Sequence, residues 1–426
     1  MSETSVRTAE LAVPAAPAGP IDRLCRASIR RLLGSLEHGE VSVQDDAGCS
    51  TFGRRGETCD LRAAVRVRSS KVYRRMALGG FNGLVTAFID DLWTCDDLTA
   101  LFRIFLRNTQ AMIATDGPWS RLATTFDRLT HALRRNTRRG SRRNIADHYD
   151  LSNEFFALLL DETMTYSAGI FDRPDATLRD ASIAKYDRLC RKLKLRPDSH
   201  VLEIGTGWGG FAIHAAERYG CRVTTTTVSR EQHALAQERI AAAGLRDRVT
   251  LLLQDYRDLR GEFDRLVSIE MIEAVGHQYL PEFFGVLSSR LKPDGLAAIQ
   301  AITIADQHYE RHRRTADFIK RFIFPGSCIP SMTALSAAMT RTSDLRLVHL
   351  EDITPHYATT LRRWHDNLLR HVGRIHSLGL GDDFLRLWRM YLSYCEAGFA
   401  ERYLGSVQLL YARPGWRGQP ILPPLD

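Results

Sequence analysis

Three glycines in VLEIGTGWGGF, Gly205, Gly207 and Gly209, lie where a short apolar run gives way to an amphipathic segment. A glycine-rich turn between a strand and a helix lets backbone approach a ligand closely, at the place where open α/β sheets bind small molecules. With Gly210 the same letters satisfy GxGxxG, so a dinucleotide has to be weighed. A dinucleotide site wants a carboxylate about 20 residues on, at the end of the second strand, and that strand reads TTTTVS. The acid is instead Glu203, at the end of the first strand, a position suited to the cationic amino-acid end of S-adenosylmethionine. Glu203 favours S-adenosylmethionine, while NAD and a purely structural turn stay open on these residues alone.

Other residues could carry chemistry or only structure. Glu273 sits in an apolar setting, MIEAV, where a carboxylate can be a helix cap or ion-pair partner as well as a functional group. Tyr357 can be a packed tyrosine whose hydroxyl finds a backbone partner. His148, Tyr149 and Asp150 read as opening a helix through Ser152 and Asn153, or as forming the acceptor-side wall of the cofactor site. Phe318, Phe322, Phe324 and Trp364 read first as core residues at helical spacing.

These residues need elements to hold them. From His200 the pattern alternates strand and helix: VLEI, FAIHAAERYG ending at Gly220, CRVTTTTV, a helix capped by Ser229 and closed by Gly244, then VTLLLQ, FDRLVSIE and LAAIQAITI. Such alternation predicts an α/β fold, a doubly wound Rossmann-like sheet with helices on both faces. A largely helical insertion over about 305–378 precedes the closing helix FLRLWRMYLSYCEAGFAERYLG and the strand SVQLLYARP. Upstream, residues 21–133 read as a small α+β domain: a basic amphipathic helix over 21–37, short strands over 39–70, and a helical region that includes Leu98, Leu101, Phe102 and Phe105 on one face. Residues 1–20 read as a flexible tail, 134–143 as a basic linker and 416–426 as a C-terminal tail.

At 426 residues the chain has room for two or three domains. It is 44% hydrophobic and 25% charged, as in ordinary soluble proteins, and no apolar run approaches the ~20 residues of a membrane-spanning helix. The opening segment lacks the features of a secretory signal, so a cytoplasmic location is expected. Eight cysteines are scattered without a CxxC pair, which indicates neither a zinc site nor a disulfide framework. The net charge of +8 and pI of about 9.1 favour an anionic partner.

HYDLSNEFF, LDETMTYSAGIF, VLEIGTGWGG, LLLQDYRDL, VSIEMIEAVGH and DFIKRFIFPGSCIPS occur in this order. On these motifs the chain resembles the cyclopropane-fatty-acyl-phospholipid synthase family, which includes the mycolic acid cyclopropane synthases, from about Asn144 to Gly415. The resemblance implies a class I methyltransferase domain over 144–415. It implies one-carbon transfer from S-adenosylmethionine to the double bond of unsaturated phospholipid acyl chains, giving a cation that a bound bicarbonate deprotonates to close a cyclopropane ring. At the cofactor it implies Tyr166, Ser167, Gly205 and Gly207, the ribose contacts Thr227 and Gln232, and Gln254 and Asp255 near the adenine. At the bicarbonate it implies Glu273 and Tyr357, with Ala168 and Gln300 at the remaining positions. Ala168 stands where the family commonly has cysteine, and Gln300 where it commonly has histidine. A misdirected proton loss there would give a methyl-branched or methylene product, and loss of catalysis would leave a lipid-binding protein. An acyl chain also needs an apolar tunnel, a second reading for the aromatic residues of the insertion. The resemblance also implies a homodimer.

RRNTRRGSRR, Arg134 to Arg143, concentrates six arginines. No zinc finger, helix-turn-helix or aromatic RNA-binding signature accompanies them, so nucleic acid is not the expected partner. With a substrate embedded in a bilayer, the run is expected to meet an anionic membrane surface, at about 1 kcal/mol per charge. The expected location is thus the inner face of the membrane, peripherally. A solvated linker is the bland reading.

Overall fold

The computed structural model describes residues 19–109, 152–315, 317–419 and 421. The arginine run, and His148, Tyr149 and Asp150, lie outside them.

The N-terminal part comprises α1 (Pro20–Leu33), β1 (Gly39–Asp45), β2 (Gly48–Arg54), β3 (Arg62–Val67), α2 (Lys71–Ile89), β4 (Trp93–Cys95) and α3 (Leu98–Arg107). The four strands form one sheet in the order β2-β1-β3-β4, with β1 and β3 parallel and the other neighbours antiparallel. Asp45 ties it to the helices, because its buried carboxylate pairs with Arg26 and Arg30 of α1 and accepts from the Tyr73 hydroxyl of α2. Asp97 caps α3 by accepting from the Ala100 N–H at 2.8 Å.

The larger part follows as α4 (Asn153–Leu159), α5 (Leu178–Lys192), β5 (His200–Ile204), α6 (Gly210–Tyr219), β6 (Arg222–Thr227), α7 (Arg230–Ala242), β7 (Val249–Leu253), β8 (Phe263–Ile269), α8 (Leu280–Arg290), β9 (Leu291–Ile304), α9 (Asp306–Arg314), α10 (Met332–Thr342), β10 (Arg346–Asp352), α11 (Thr354–Arg370), α12 (Val372–Ser377), α13 (Asp382–Ala400) and β11 (Leu404–Ala412). Its sheet runs β10-β11-β9-β8-β5-β6-β7. The five strands from β9 to β7 are parallel, and β11 and β10 add antiparallel at one edge. Both faces are covered, which is why β5 is buried from Val201 to Ile204 and β6 can bury a row of threonines, Thr224 to Thr227. The alternating α/β sheet is as expected.

The segment over 305–378 is not purely helical. It contains β10, whose residues 346–352 form the outer strand of the sheet against β11. Lying at an edge, β10 leaves Leu347 and Leu350 exposed, a pattern that does not announce a strand of a main sheet. The segment also holds a single π-helical turn, Ile319–Ile323, of the kind frequent at functional sites.

Helix α13 joins the two parts. Arg103 and Arg107 of α3 pair with Glu401 at 2.6 and 2.8 Å, and Phe81, Phe102 and Phe318 pack around Tyr394 at centroid distances of 5.1, 5.6 and 5.2 Å. One hydrophobic core therefore runs from the N-terminal sheet into the wall of the larger part.

Candidate active site

A cleft opens at the carboxyl ends of β5, β6 and β8, where an open α/β sheet binds its ligand. Tyr166, Ser167, Glu203, Gly205, Gly207, Thr227, Gln232, Gln254 and Asp255 all line it. The three loop glycines have φ of 100°, 53° and 87°, a region that side chains disfavour, and these angles wrap the backbone around the cleft floor. Gly210 is required by packing: a Cβ there would lie 2.5 Å from Tyr186 Oη and 3.1 Å from the Thr163 carbonyl.

The 162–167 segment, which carries Tyr166 and Ser167, is clamped to the glycine loop. Arg239 donates to the carbonyls of Thr163 at 3.0 Å and Trp208 at 2.7 Å, and Tyr186 meets Thr165 Oγ1 at 2.6 Å. Trp208 in turn donates from Nε1 to Asn153 at the start of α4. Thr227 Oγ1 and Gln232 Oε1 lie 2.9 Å apart. Asp255 is held by both arms of Arg257, at 2.9 and 2.7 Å.

Charge on the cleft floor is balanced by a lysine that sequence reasoning missed. Lys185, buried on α5, donates to Ser167 Oγ at 2.7 Å, and burial pushes its pKa down to about 8 against the pull of Glu270, Asp161 and Glu203. Glu203 is buried too and accepts from Thr225 Oγ1 at 2.5 Å; burial pushes its carboxyl up to about 8. Such a carboxylate gains by meeting a ligand cation.

A second carboxylate lines the cleft. Glu270, just past β8, accepts from the Ala168 N–H at 3.0 Å and from Gln300 Nε2 at 2.8 Å on Oε1, and from the Tyr357 hydroxyl at 2.7 Å on Oε2. Its φ is 48°, rare for a side-chain-bearing residue, and its N–H donates to the Gln300 carbonyl at 2.8 Å. Burial raises its carboxyl above the usual range, opposed by Gln300, Tyr357, Lys185 and Ala168.

Sequence reasoning placed Glu273, Tyr357, Gln300 and Ala168 around bicarbonate. The structure brings the last three together, but on Glu270. Glu273 lies one short turn away, its Oε1 accepting from the Ile302 N–H and its Oε2 meeting no partner among the described residues. Burial and the neighbouring Glu270 push Glu273 up to about 8. Three donors favour the charged form of Glu270 and one serves Glu273, so Glu273 is the more readily protonated of the two. Bicarbonate does not fit the residues present, because Glu270 already occupies the donors that would hold it.

The orientation of Gln300 is imposed from behind. Lys192 donates to Gln408 Oε1 at 2.7 Å, and Gln408 Nε2 donates to Gln300 Oε1 at 3.0 Å. Gln300 therefore has only its NH2 group to offer Glu270.

Above the cleft Tyr166 is surrounded by aromatic rings: Phe156 at 5.3 Å, Trp364 at 5.1 Å and Phe324 at 6.3 Å, with its hydroxyl 3.0 Å from that of Tyr391. Phe318 and Trp364 are core residues here and Phe322 is exposed, so of the four aromatics of the insertion Phe324 and Trp364 reach the Tyr166 wall.

Residues 136–409 match the family model of mycolic acid cyclopropane synthetase. The chain is 36% identical over 414 residues to tuberculostearic acid methyltransferase UfaA1 of Mycobacterium tuberculosis, covering 95% of each. It is 33% identical over 385 residues to cyclopropane-fatty-acyl-phospholipid synthase of Escherichia coli K12, covering 88% of this chain and 96% of that one. The crystal structure of mycolic acid cyclopropane synthase CmaA1 complexed with SAH and CTAB superposes with a TM-score of 0.60 at 31% identity, covering 64% of this chain and 98% of that one. With its cofactor cleft, its sheet and these likenesses, the chain belongs to the mycolic acid cyclopropane synthetase family and is an S-adenosylmethionine-dependent methyltransferase.

Proposed function

We propose that the protein adds one carbon from S-adenosylmethionine to the double bond of unsaturated acyl chains of phospholipids, with loss of a methyl proton closing a cyclopropane ring. The observation that carries this reading is a half-buried carboxylate, Glu270, that lines the cofactor cleft and is held by three hydrogen-bond donors. S-adenosylmethionine supplies an electrophilic methyl group. Glu203 suits its ammonium, Thr227 and Gln232 its ribose, Gln254 and Asp255 the surroundings of its adenine, and Tyr166 and Ser167 the side facing the acceptor.

An alkene is a weak nucleophile, so alignment with the methyl and exclusion of water must supply most of the acceleration. The rings around Tyr166 provide a dry wall whose faces favour a passing cation. After transfer the chain carries that cation, and a base must take one proton.

Two features favour a second reading, a methyl-branched or methylene product. One relative, aligned over 95% of the chain, is a tuberculostearic acid methyltransferase, and Ala168 and Gln300 replace the residues expected at the ring-closing site. Incubation with S-adenosylmethionine and vesicles of monounsaturated phospholipid, followed by proton NMR of the recovered lipid, distinguishes the two. High-field ring methylene signals with loss of olefinic protons are expected, and vinylidene or retained olefinic protons on a heavier chain would select the second reading.

The arginines over 134–143 and a basic charge balance support reversible attachment to an anionic membrane surface. Among the described residues no helix is long and apolar enough to cross a membrane.

A further inference from the structure

We infer that Glu270 is the built-in base of the reaction, its carboxylate standing where a free bicarbonate would otherwise be bound, so that this protein works without bicarbonate. This rests on the one-carbon transfer proposed above and names the group that finishes it.

Three observations converge. First, the contacts of Glu270 are those of a bound oxyanion: a backbone N–H, an amide NH2 and a phenol hydroxyl, each at hydrogen-bond distance and supplied by separate parts of the chain. Second, Glu270 lines the cofactor cleft, whereas Ala168, Gln300, Tyr357 and Glu273 are not part of its lining. Third, its backbone is held at a φ of 48°, and a side-chain-bearing residue is kept there only where surrounding contacts hold it. Its N–H bond to the Gln300 carbonyl is one of those contacts. Charge balance agrees, since Lys185 attracts the Glu270 carboxylate, while burial and Glu270 push Glu273 toward its neutral form.

The chemistry balances without a further reagent. The alkene π pair forms the first carbon–carbon bond to the methyl as the carbon–sulfur pair leaves with sulfur. The chain is then a cation. A C–H bond of the added methyl breaks, its proton passes to Glu270, and its electron pair closes the third side of the ring. Glutamic acid returns the proton to solvent before the next cycle. If a C–H bond of a chain carbon next to the cation breaks instead, its proton passes to Glu270 and its electron pair forms an alkene, so the position of the Glu270 oxygens relative to the bound chain decides the product.

The test uses the full chain, Glu270→Gly, Glu270→Gln and two readouts. Glycine accepts the positive φ and empties the cradle, leaving the three donors for a small anion. In the first readout, 13C-bicarbonate binding is followed by NMR without cofactor or lipid. Glu270→Gly is expected to bind bicarbonate at least tenfold more tightly than wild type. In the second, methylated lipid is measured in carbon dioxide-depleted buffer and with added bicarbonate or formate. Wild type is expected to change less than twofold, Glu270→Gly and Glu270→Gln to lose at least a hundredfold, and bicarbonate or formate to restore Glu270→Gly at least tenfold but not Glu270→Gln. A tenfold fall of wild-type activity on depletion, or equal bicarbonate binding by wild type and Glu270→Gly, would overturn the inference. Circular dichroism of both variants separates lost chemistry from lost folding, and Glu270→Gln keeps the test open where glycine unfolds the loop. If wild type methylates no lipid in any buffer, the one-carbon-transfer reading fails, while the binding readout still decides whether Glu270 excludes bicarbonate.

Discussion

The hydroxyl of Tyr357 on α11 donates to Glu270 Oε2 at 2.7 Å, joining the helical layer above the sheet to the carboxylate at the end of β8. Phe399 stacks on the tyrosine ring at 4.2 Å, so the hydroxyl has little freedom to point elsewhere. A hydrogen bond to a charged group contributes about 1.5–3 kcal/mol. Tyr357→Phe is therefore expected to lower kcat by roughly tenfold to a hundredfold, with S-adenosylmethionine affinity unchanged by calorimetry. The lost donor leaves the Glu270 carboxyl higher still, so the rising limb of the pH–rate profile moves to higher pH.

The Lys192–Gln408–Gln300 relay makes a prediction about polarity. Gln408→Leu releases the Gln300 amide and is expected to reduce turnover several-fold. Gln408→Glu would accept from Gln300 Nε2 and turn the amide oxygen toward Glu270, so its loss is expected to be the larger. Turnover of the two variants at one pH checks the order, with unchanged cofactor affinity in both.

Stability should respond to pH through Glu273. Its carboxyl, ordinarily near 4.5, is pushed up to about 8 by burial and by Glu270. A raised folded pKa means that its contribution is fully present below 4.5 and is lost as pH rises through about 8. Glu273→Gln keeps the shape and removes the titration. Urea unfolding from pH 5 to pH 9 is expected to show wild type losing stability relative to Glu273→Gln as pH rises.

The glycine loop separates strain from collision. Gly207 has a φ of 53° with open space at its Cβ position, whereas a Cβ on Gly210 collides with Tyr186. Gly207→Ala is expected to cost about 1 kcal/mol, and Gly210→Ala a larger drop in Tm together with weakened cofactor binding.

Membrane attachment is expected to depend on the arginine run. Replacing its six arginines with glutamine should abolish co-sedimentation with anionic vesicles and leave S-adenosylmethionine affinity intact. Unchanged sedimentation would return the run to the role of a solvated linker.

The cofactor cleft was legible in the sequence because its parts are local. The strand–glycine–helix turn, the acid before it and the Thr-x-Ser-x-x-Gln stretch each lie within a few residues, and the five residues they named line one cleft with Tyr166, Ser167, Gln254 and Asp255, which the other motifs of the resemblance named. Glu270 was not legible. Its partners stand 102, 30 and 87 residues away, and only the closed fold brings them together. The available signal was the second carboxylate in IEMIEAVG, three residues before Glu273, at the end of a strand where catalytic groups gather. Lys185 was hidden differently, since in ASIAKYDRLC a lysine reads as a solvated helix residue until α5 is seen to bury it beneath the cleft. The β10 strand was lost because an edge strand need not be apolar.

The central claim is that a carbon from S-adenosylmethionine ends up on the acyl double bond with one proton removed. The most direct measurement is mass spectrometry of monounsaturated phospholipid after incubation with the protein and methyl-deuterated S-adenosylmethionine. The expected result is a heavier acyl chain that retains all but one of the methyl deuterons and shows no olefinic carbon by 13C NMR, the missing deuteron having left as the ring closed; olefinic carbons at that mass would identify the methylene product instead. A heavier chain with every deuteron retained would show that the proton came from the chain and contradict ring closure; an unchanged chain, with S-adenosylmethionine consumed elsewhere, would contradict the account as a whole.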